Sequence, residues 1–259
     1  MAGAATGSGR RQIDLNADVG ESFGPRSMGD DERLIPLVSS VNIACGAHAG
    51  DPVTIARTVR LALAHGAAIG AHPGYPDLAG FGRRDLDMAP DELEGSLIVQ
   101  VGAIQAVARS EGTTVGHVKP HGALYNRAAR DLSLATTIAE AIARLDPSLV
   151  LVGLAGSALV EAGRAAGLGV RSEGFADRAY EADGSLRDRR KEGAILDPAA
   201  AAAQALAIAR DGAVTLINGQ SLAVDADTIC VHGDGPAAVE TAVAIRTALA
   251  AAGIDVRPW

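Results

Sequence analysis

The chain has 259 residues, a usual length for one α/β barrel, and 48% of them are hydrophobic, enough for a sizeable core. Only 3% are aromatic, so that core must be built from Ala, Val, Leu and Ile. A net charge of −8, from 23 Lys+Arg against 31 Asp+Glu, argues against nucleic acid or an anionic membrane as main partner. The two cysteines, Cys45 and Cys230, make neither a disulfide framework nor a CxxC zinc spacing.

Residues 1–11 are expected to form a disordered tail, and residues 12–259 a single barrel domain. The first residues lack the apolar run of a signal peptide, and Arg10-Arg11 is followed by Gln-Ile-Asp rather than by a hydrophobic stretch. No segment approaches the ~20 apolar residues that span a bilayer. A cytoplasmic location, with no membrane and no nucleic acid as partner, is therefore expected.

Short β-branched runs alternate along the chain with longer Ala/Leu-rich segments of helical period. Strands are predicted at 12–16, 40–44, 67–70, 114–118, 149–154, 169–172 and 228–231. Helices are predicted at 51–65, 90–111, 133–145, 156–166, 198–210 and 236–252. Pro52 after Asp51, Pro90 before Asp91-Glu92, Pro198 after Asp197, and Pro236 mark helix starts, and Gly66, Gly112, Gly167, Gly212 and Gly253 mark ends. Unbroken alternation implies parallel strands, and runs more apolar than alternating imply strands covered on both faces. No Gly-x-Gly-x-x-Gly follows the first strand, and polar clusters follow nearly every strand instead of one switch point. A (β/α) barrel of about seven parallel strands brings all those clusters to one mouth. Residues 74–87 are long for a βα loop and read as a lid, and residues 178–194 as an excursion that turns at Asp183-Gly184.

The polar clusters carry the candidate chemistry. Asp14, Asn16, Asp18 and Glu21 close the first strand; the first two can cap turns, whereas Asp18 and Glu21 at a rim can act as base or hold a cation. His48 and His72 each sit just beyond a strand among small residues, and with Asp18 they make a candidate divalent-metal set. His65 falls late in a helix and is set aside. Cys45 has small apolar neighbours and reads as structural. Lys119, His121, Tyr125 and Asn126 crowd into His117-Val-Lys-Pro-His-Gly-Ala-Leu-Tyr-Asn126 directly after a strand. A lysine there can neutralise an oxyanion or phosphoryl group while the imidazole moves a proton. Glu173, Asp177 and Arg178 follow the sixth strand, where Asp177 and Arg178 suit either a loop-locking salt bridge or a substrate contact. His232 and Asp234 precede a helix start with Gly233 and Gly235, which fits an anion cradle as well as an Asp234 N-cap. No Gly-x-x-x-x-Gly-Lys-Ser/Thr loop occurs, so any nucleotide is not held by a P-loop.

Together, Ile13-Asp-Leu-Asn-Ala-Asp-Val-Gly-Glu21, Asn42-Ile-Ala-Cys-Gly-Ala-His-Ala-Gly-Asp-Pro52, Ile69-Gly-Ala-His-Pro-Gly74, His117-Val-Lys-Pro-His-Gly122, Phe175-Ala-Asp-Arg178 and Val231-His-Gly-Asp234 resemble the LamB/YcsF family. Its members are lactam-utilisation proteins and the A subunit of ATP-dependent 5-oxoprolinase. The likeness runs in order from residue 12 to about residue 254. It implies an irregular (β/α) barrel related to polysaccharide deacetylases. It also implies ATP-coupled ring opening of 5-oxo-L-proline to L-glutamate in a complex with B and C subunits. Under that likeness Asp18, Glu21, Lys119, His121 and Glu173 are the expected catalytic residues, with Asp18 or Glu173 activating water. Asn42, His72, Tyr125, Asn126, Asp177, Arg178, His232 and Asp234 are expected to bind the lactam substrate. One departure is Ala47, where relatives generally carry phenylalanine, which implies a roomier pocket. The rival readings are a stand-alone metal-dependent amidohydrolase or deacetylase for another lactam or amide, and a non-catalytic subunit.

Overall fold

A computed structural model describes residues 12–235 and 237–259; the tail expected over residues 1–11, and Pro236, lie outside the described residues. Ten strands occur among the described residues: β1 (Gln12–Val19), β2 (Ser40–Ala44), β3 (Ala68–His72), β4 (His117–Val118), β5 (Val150–Leu154), β6 (Gly169–Phe175), β7 (Ala213–Thr215), β8 (Ser221–Ala223), β9 (Thr228–Val231) and β10 (Asp255–Val256). The α-helices are α1 (Asp31–Leu34), α2 (Pro52–Ala64), α3 (Pro90–Ser110), α4 (Gly122–Ala128), α5 (Leu132–Leu145), α6 (Ala158–Ala165), α7 (Pro198–Asp211) and α8 (Ala238–Ala251). No helix among the described residues is long and apolar enough to cross a membrane.

Seven parallel strands close a barrel in the order β1-β2-β3-β4-β5-β6-β9, with β9 returning to β1. The seam pairs Asp14 with Thr228 and Asn16 with Cys230, and on its other side β9 pairs Thr228 with Glu173. β10 adds to the start of β1, and β7 and β8 form a separate antiparallel pair. The predicted helices form as their ends foretell. The Asp51 carboxylate accepts from the amides of Val53 and Thr54 ahead of Pro52, and Asp197 accepts from Ala200 ahead of Pro198. Gly212 ends α7 at φ +63, the left-handed geometry that favours glycine.

Three expectations need correction. β1 runs to Val19 and β6 to Phe175, so Asp18 and Glu173 lie inside strands rather than beyond them. β4 is two residues long, and α1, α4, β7, β8, β10 and the 3-10 turn Ile35–Leu37 are absent from the predicted elements. Finally, the strands are not simply apolar. β1 alternates, with Ile13, Leu15, Ala17 and Val19 in the hydrophobic core and Asp14, Asn16 and Asp18 bonding inward across the barrel. Its period of two puts three polar side chains on one face, and the barrel interior is that face.

The lower interior is held by hydroxyl groups. Asp14 accepts from Ser39 Oγ at 2.7 Å, Ser40 Oγ at 2.8 Å and Thr228 Oγ1 at 2.5 Å, joining β1, β2 and β9. Burial pushes its carboxyl up to about 6, against the three donors, with Glu173 adding to the rise. The folded chain thus keeps a proton that the unfolded chain has released, so this group's contribution to stability falls as pH rises from about 4 to about 6. In urea unfolding, the wild-type-minus-Asp14→Asn stability difference should therefore fall by roughly 2–3 kcal/mol between pH 4 and 7. A difference that stays flat over this range would show that Asp14 is ionised in the folded barrel.

Candidate functional site

Lys119 is the centre of the site. Its amide continues the β3–β4 ladder by donating to the Ala71 carbonyl, and Pro120 keeps the residue before it extended, so the side chain enters the barrel. Only 2% of Lys119 is exposed. Its Nζ lies 2.8 Å from Glu173 Oε1, 3.0 Å from Asp18 Oδ1, 3.1 Å from Cys230 Sγ and 3.3 Å from Asn16 Oδ1. The Phe175 ring lies 5.3 Å from it. Burial works against the ammonium, but Asp18, Cys230 and Glu173 outweigh it and hold the group well above the usual lysine range. Asp18 is affected likewise: burial opposes its charge, and His72 and Lys119 hold the carboxyl well below its usual value.

A shell of neutral groups fixes these charges. Asn16 Nδ2 donates to Glu173 Oε1 and Thr228 Oγ1, while its Oδ1 accepts from Asn42 Nδ2 at 2.7 Å. Asn42 Nδ2 also donates to Asp18 Oδ1 at 2.9 Å, and Asn42 Oδ1 accepts from His117 Nε2. Tyr125, on the first turns of α4, donates to Glu173 Oε2 at 2.7 Å. Burial, chiefly, keeps the imidazole of His117 neutral, with its pKa lowered to about 3. Gly70 admits His117, because a Cβ there would stand 2.0 Å from Nε2. Cys45 and Cys230 are both free and buried, and burial raises both thiols.

Next to this centre three imidazoles cluster at the mouth, two of them stacked and His72 edge-on to both. His72, the last residue of β3, donates from Nδ1 to the Lys119 carbonyl at 2.7 Å. His121 donates from Nε2 to the Phe81 carbonyl at 2.9 Å, and its Nδ1 lies 3.0 Å from His72 Nε2. His48 lies flat against His121, with ring centroids 3.9 Å apart and planes inclined by 7°. Both nitrogens of His48 are buried without a hydrogen-bond partner. Burial and the neighbouring charges lower His48 to about 3 and His121 well below its usual value. Glu21 completes the group, its Oε1 3.8 Å from His121 Nδ1; burial, then Asp18 and Asp234, raise its carboxyl well above the usual range.

The loop expected to be a lid covers these rings. Phe81, at φ 57 the one non-glycine residue with positive φ among the described residues, turns its carbonyl to His121 and its ring onto His48 and His121. Gly82, at φ +63, passes so close that a Cβ would lie 2.9 Å from His121 Cδ2 and 2.9 Å from the Cβ of His48. Gln100 of α3 clamps Gly74, accepting from its amide and donating to its carbonyl. The excursion over residues 178–194 does turn at Glu181–Gly184 and pairs Tyr180 with Leu186.

At the opposite side of the mouth, His232 Nδ1 lies 3.0 Å from both oxygens of Asp177 and stacks on Phe175. Burial opposes the charge on Asp177, but His232 more than compensates and lowers its pKa. Asp234 receives Arg83 at 2.5 Å and Arg189 at 3.6 Å. The candidate residues Asp18, Glu21, Asn42, His72, Lys119, His121, Tyr125, Glu173, Asp177, His232 and Asp234 are thus brought around one mouth. Two others are not. Asn126 is exposed on α4 and donates to the Gly122 carbonyl, and Arg178 donates to the carbonyls of Arg187 and Ala194, anchoring its own excursion. The expected metal set Asp18, His48 and His72 is corrected as well. Stacking turns the face of His48, not its nitrogens, to His121, and the donor groups that converge within 4.8 Å are Glu21, His72, His121 and, separately, Asp18, Cys230, His232. Sequence reading gave Asn16 only a turn-capping role, although the D-x-N-x-D alternation of β1 signals its inward face, and it missed Cys230, Phe81, Gln100, Arg83 and Arg189 as site residues.

Residues 13–259 match the model of the LamB/YcsF family. A protein of Chloroflexus aggregans, named as the A subunit of 5-oxoprolinase, is 58% identical over 95% of this chain and 98% of its own length. Another, from Pseudomonas syringae pv. tomato and also named as a 5-oxoprolinase A subunit, is 50% identical over 96% of this chain and 98% of its own. The crystal structure of a lactam utilization protein from Thermus thermophilus superposes with a TM-score of 0.91 at 48% identity, covering 96% of this chain and 100% of that one.

Gly70→Ala tests whether His117 must fill the interior as described. The new methyl should displace the imidazole from Asn42 and cost roughly 1–3 kcal/mol or more in urea unfolding. Unchanged stability would show that His117 has room to move.

Proposed function

The chain belongs to the LamB/YcsF family, and on that footing we propose that it is the A subunit of a multi-subunit 5-oxoprolinase. In this reading it opens the lactam ring of 5-oxo-L-proline to L-glutamate, with ATP as cosubstrate and B and C subunits as partners. The names borne by its relatives support the reading. The observation that carries it is the buried ammonium of Lys119, held between Asp18 and Glu173 at the barrel mouth.

A lactam is a stabilised amide, so its carbonyl oxygen must be charged or derivatised before water will add to the ring carbon. ATP would supply a phosphoryl group to that oxygen, releasing ADP and making the carbon electrophilic. Water addition then breaks the ring C–N bond as the nitrogen takes a proton, and a second water frees inorganic phosphate from the acyl phosphate. Lys119 is the preorganised donor for the developing negative charge, and its low-dielectric surroundings make it worth more than a lysine in water. Asp18, ionised at neutral pH, aims Lys119, and Glu173 is held by Tyr125 and Asn16. For the attacking water the best-placed base is His232. Asp177 fixes one of its nitrogens, which leaves the other to take a proton, and a ring nitrogen of His232 comes within 4.8 Å of Asp18. Asp18 and Glu173, the bases expected from the sequence, are both engaged by Lys119. Arg83 and Arg189 at the rim suit phosphate oxygens, and nothing in the sequence provides a P-loop.

The test is 5-oxoproline-dependent ATP hydrolysis by the reconstituted complex. Lys119→Met should lower kcat by roughly 10²–10³-fold with the fold retained, and full turnover in that variant would refute the assignment. Turnover by this chain alone, without ATP but with added metal, would instead favour the stand-alone amidohydrolase. His232→Gln should lower kcat by roughly 10²–10⁴-fold with the fold retained; an unchanged kcat would return the base role to a carboxylate.

A further inference from the structure

The two imidazoles at the mouth face each other with the wrong nitrogens for a hydrogen bond. A carbonyl oxygen only accepts, so His72 Nδ1 must carry the proton it gives to Lys119, and His121 Nε2 the proton it gives to Phe81. In neutral imidazoles the remaining nitrogens, His72 Nε2 and His121 Nδ1, then carry lone pairs. These lie 3.0 Å apart, with no hydrogen to share between them. Two buried acceptors at that distance repel unless a positive species lies between or beside them.

Three further observations say what kind of species. Carboxylates approach from two sides: Asp18 Oδ2 is 3.4 Å from His72 Nε2, and Glu21 Oε1 is 3.8 Å from His121 Nδ1. His48, 1% exposed and stacked on His121, has two ring nitrogens with no partner, a donor or acceptor left over beside the lone pairs. Finally, each facing imidazole gives its distal N–H to a backbone carbonyl, the outer-shell arrangement that fixes the tautomer of metal-ligating histidines. In a tetrahedral zinc site, with Zn–N of about 2.0–2.1 Å, two ligating nitrogens stand roughly 3.3–3.4 Å apart. The observed 3.0 Å is a few tenths of an ångström from that value.

We propose that His72 Nε2, His121 Nδ1 and the Glu21 carboxylate form a binding site for one divalent transition-metal ion of the zinc class. Asp18 lies at its edge, and His48 is positioned to hydrogen-bond a water carried by the ion. Imidazole and carboxylate ligands suit zinc or cobalt better than magnesium, which prefers oxygen alone. The inference stands on the ring geometry and does not depend on the ring-opening reading.

The experiment uses the full chain, freed of metal by chelation and dialysed. Calorimetric titration with Zn²⁺ should give one equivalent per chain. Co²⁺ should give visible ligand-field bands of a nitrogen- and oxygen-ligated ion, a readout independent of any activity. His72→Gln and His121→Gln should each lose the stoichiometric site, and His48→Phe should keep it. Histidine ¹⁵N spectra of the wild-type chain cover the case in which a variant fails to fold. Without metal, His72 Nε2 and His121 Nδ1 should be among the bare imidazole nitrogens, and Zn²⁺ should shift those two. Failure of the wild-type chain to bind Zn²⁺ or Co²⁺ would overturn the proposal, as would undiminished binding in folded His72→Gln and His121→Gln. A spectrum with a proton shared between the two nitrogens that Zn²⁺ does not displace would overturn it too. Ring opening could fail in the complex while the cobalt bands persist, or the reverse, so this proposal and the functional reading fall separately.

Discussion

An ammonium group buried along the axis of a parallel barrel is the constraint around which this molecule is arranged. Lys119 could not remain charged there alone, since removing an unpaired charge from water costs many kcal/mol. Two carboxylates, Asp18 and Glu173, meet that need from the two strands that flank β9. Each then brings its own unsatisfied oxygen lone pairs, which Asn16, Asn42 and Tyr125 saturate. The result ties β1, β2, β6 and β9 to the residue that follows β4. A parallel barrel usually fills its interior with branched apolar side chains; here the same layers are filled by hydrogen-bonded polar groups, while the apolar residues of β1 face the helices.

The histidine group extends this network upward under different rules. Around Lys119 every donor finds an acceptor, whereas around His72, His121 and His48 acceptors face acceptors or have no partner. The backbone enforces that mismatch. Phe81 accepts left-handed geometry to place its carbonyl on His121, and Gly82 leaves the space that lets two imidazoles lie flat together. Strained backbone held against a functional group is expected where the surroundings over-determine it. The loop over residues 74–87 is therefore built onto the cluster rather than merely lying over it.

Much of the barrel is legible because parallel α/β architecture writes itself in alternation and in helix ends: Asp51-Pro52, Asp197-Pro198 and Gly212 each do in the fold what their residue types foretell. All seven barrel strands leave a signal, and the errors lie at their ends. Those errors have one cause. A polar residue after an apolar run reads as the end of a strand, which puts Asp18 and Glu173 at the rim, whereas a polar interior lets the strands continue through them. The D-x-N-x-D alternation of β1 holds this information, and the small fraction of aromatic residues does not convey it. Convergence is less legible still. That His121 rather than His48 meets His72 depends on a stacking geometry set by Gly82 and Phe81, from a loop whose course no periodicity records. Asn126, adjacent to Tyr125 in sequence, points the other way because α4 begins at Gly122, and successive residues on a helix face different directions.

β1 also shows how one strand assigns opposite roles to like residues. Asp14 and Asp18 lie four residues apart on the same inward face, both almost fully buried. Asp14 is met only by hydroxyl groups, which interact with a carboxyl in either state, and burial raises it to about 6. Asp18 is met by an ammonium and an imidazole, which favour the ion strongly enough to overcome the same burial. Negative charge is thereby held most firmly toward the mouth end of the strand, where Lys119, the facing imidazoles and the rim arginines lie. Two like carboxyls on one strand thus differ in charge below about pH 6, because Asp18 has an ammonium beside it and Asp14 has none.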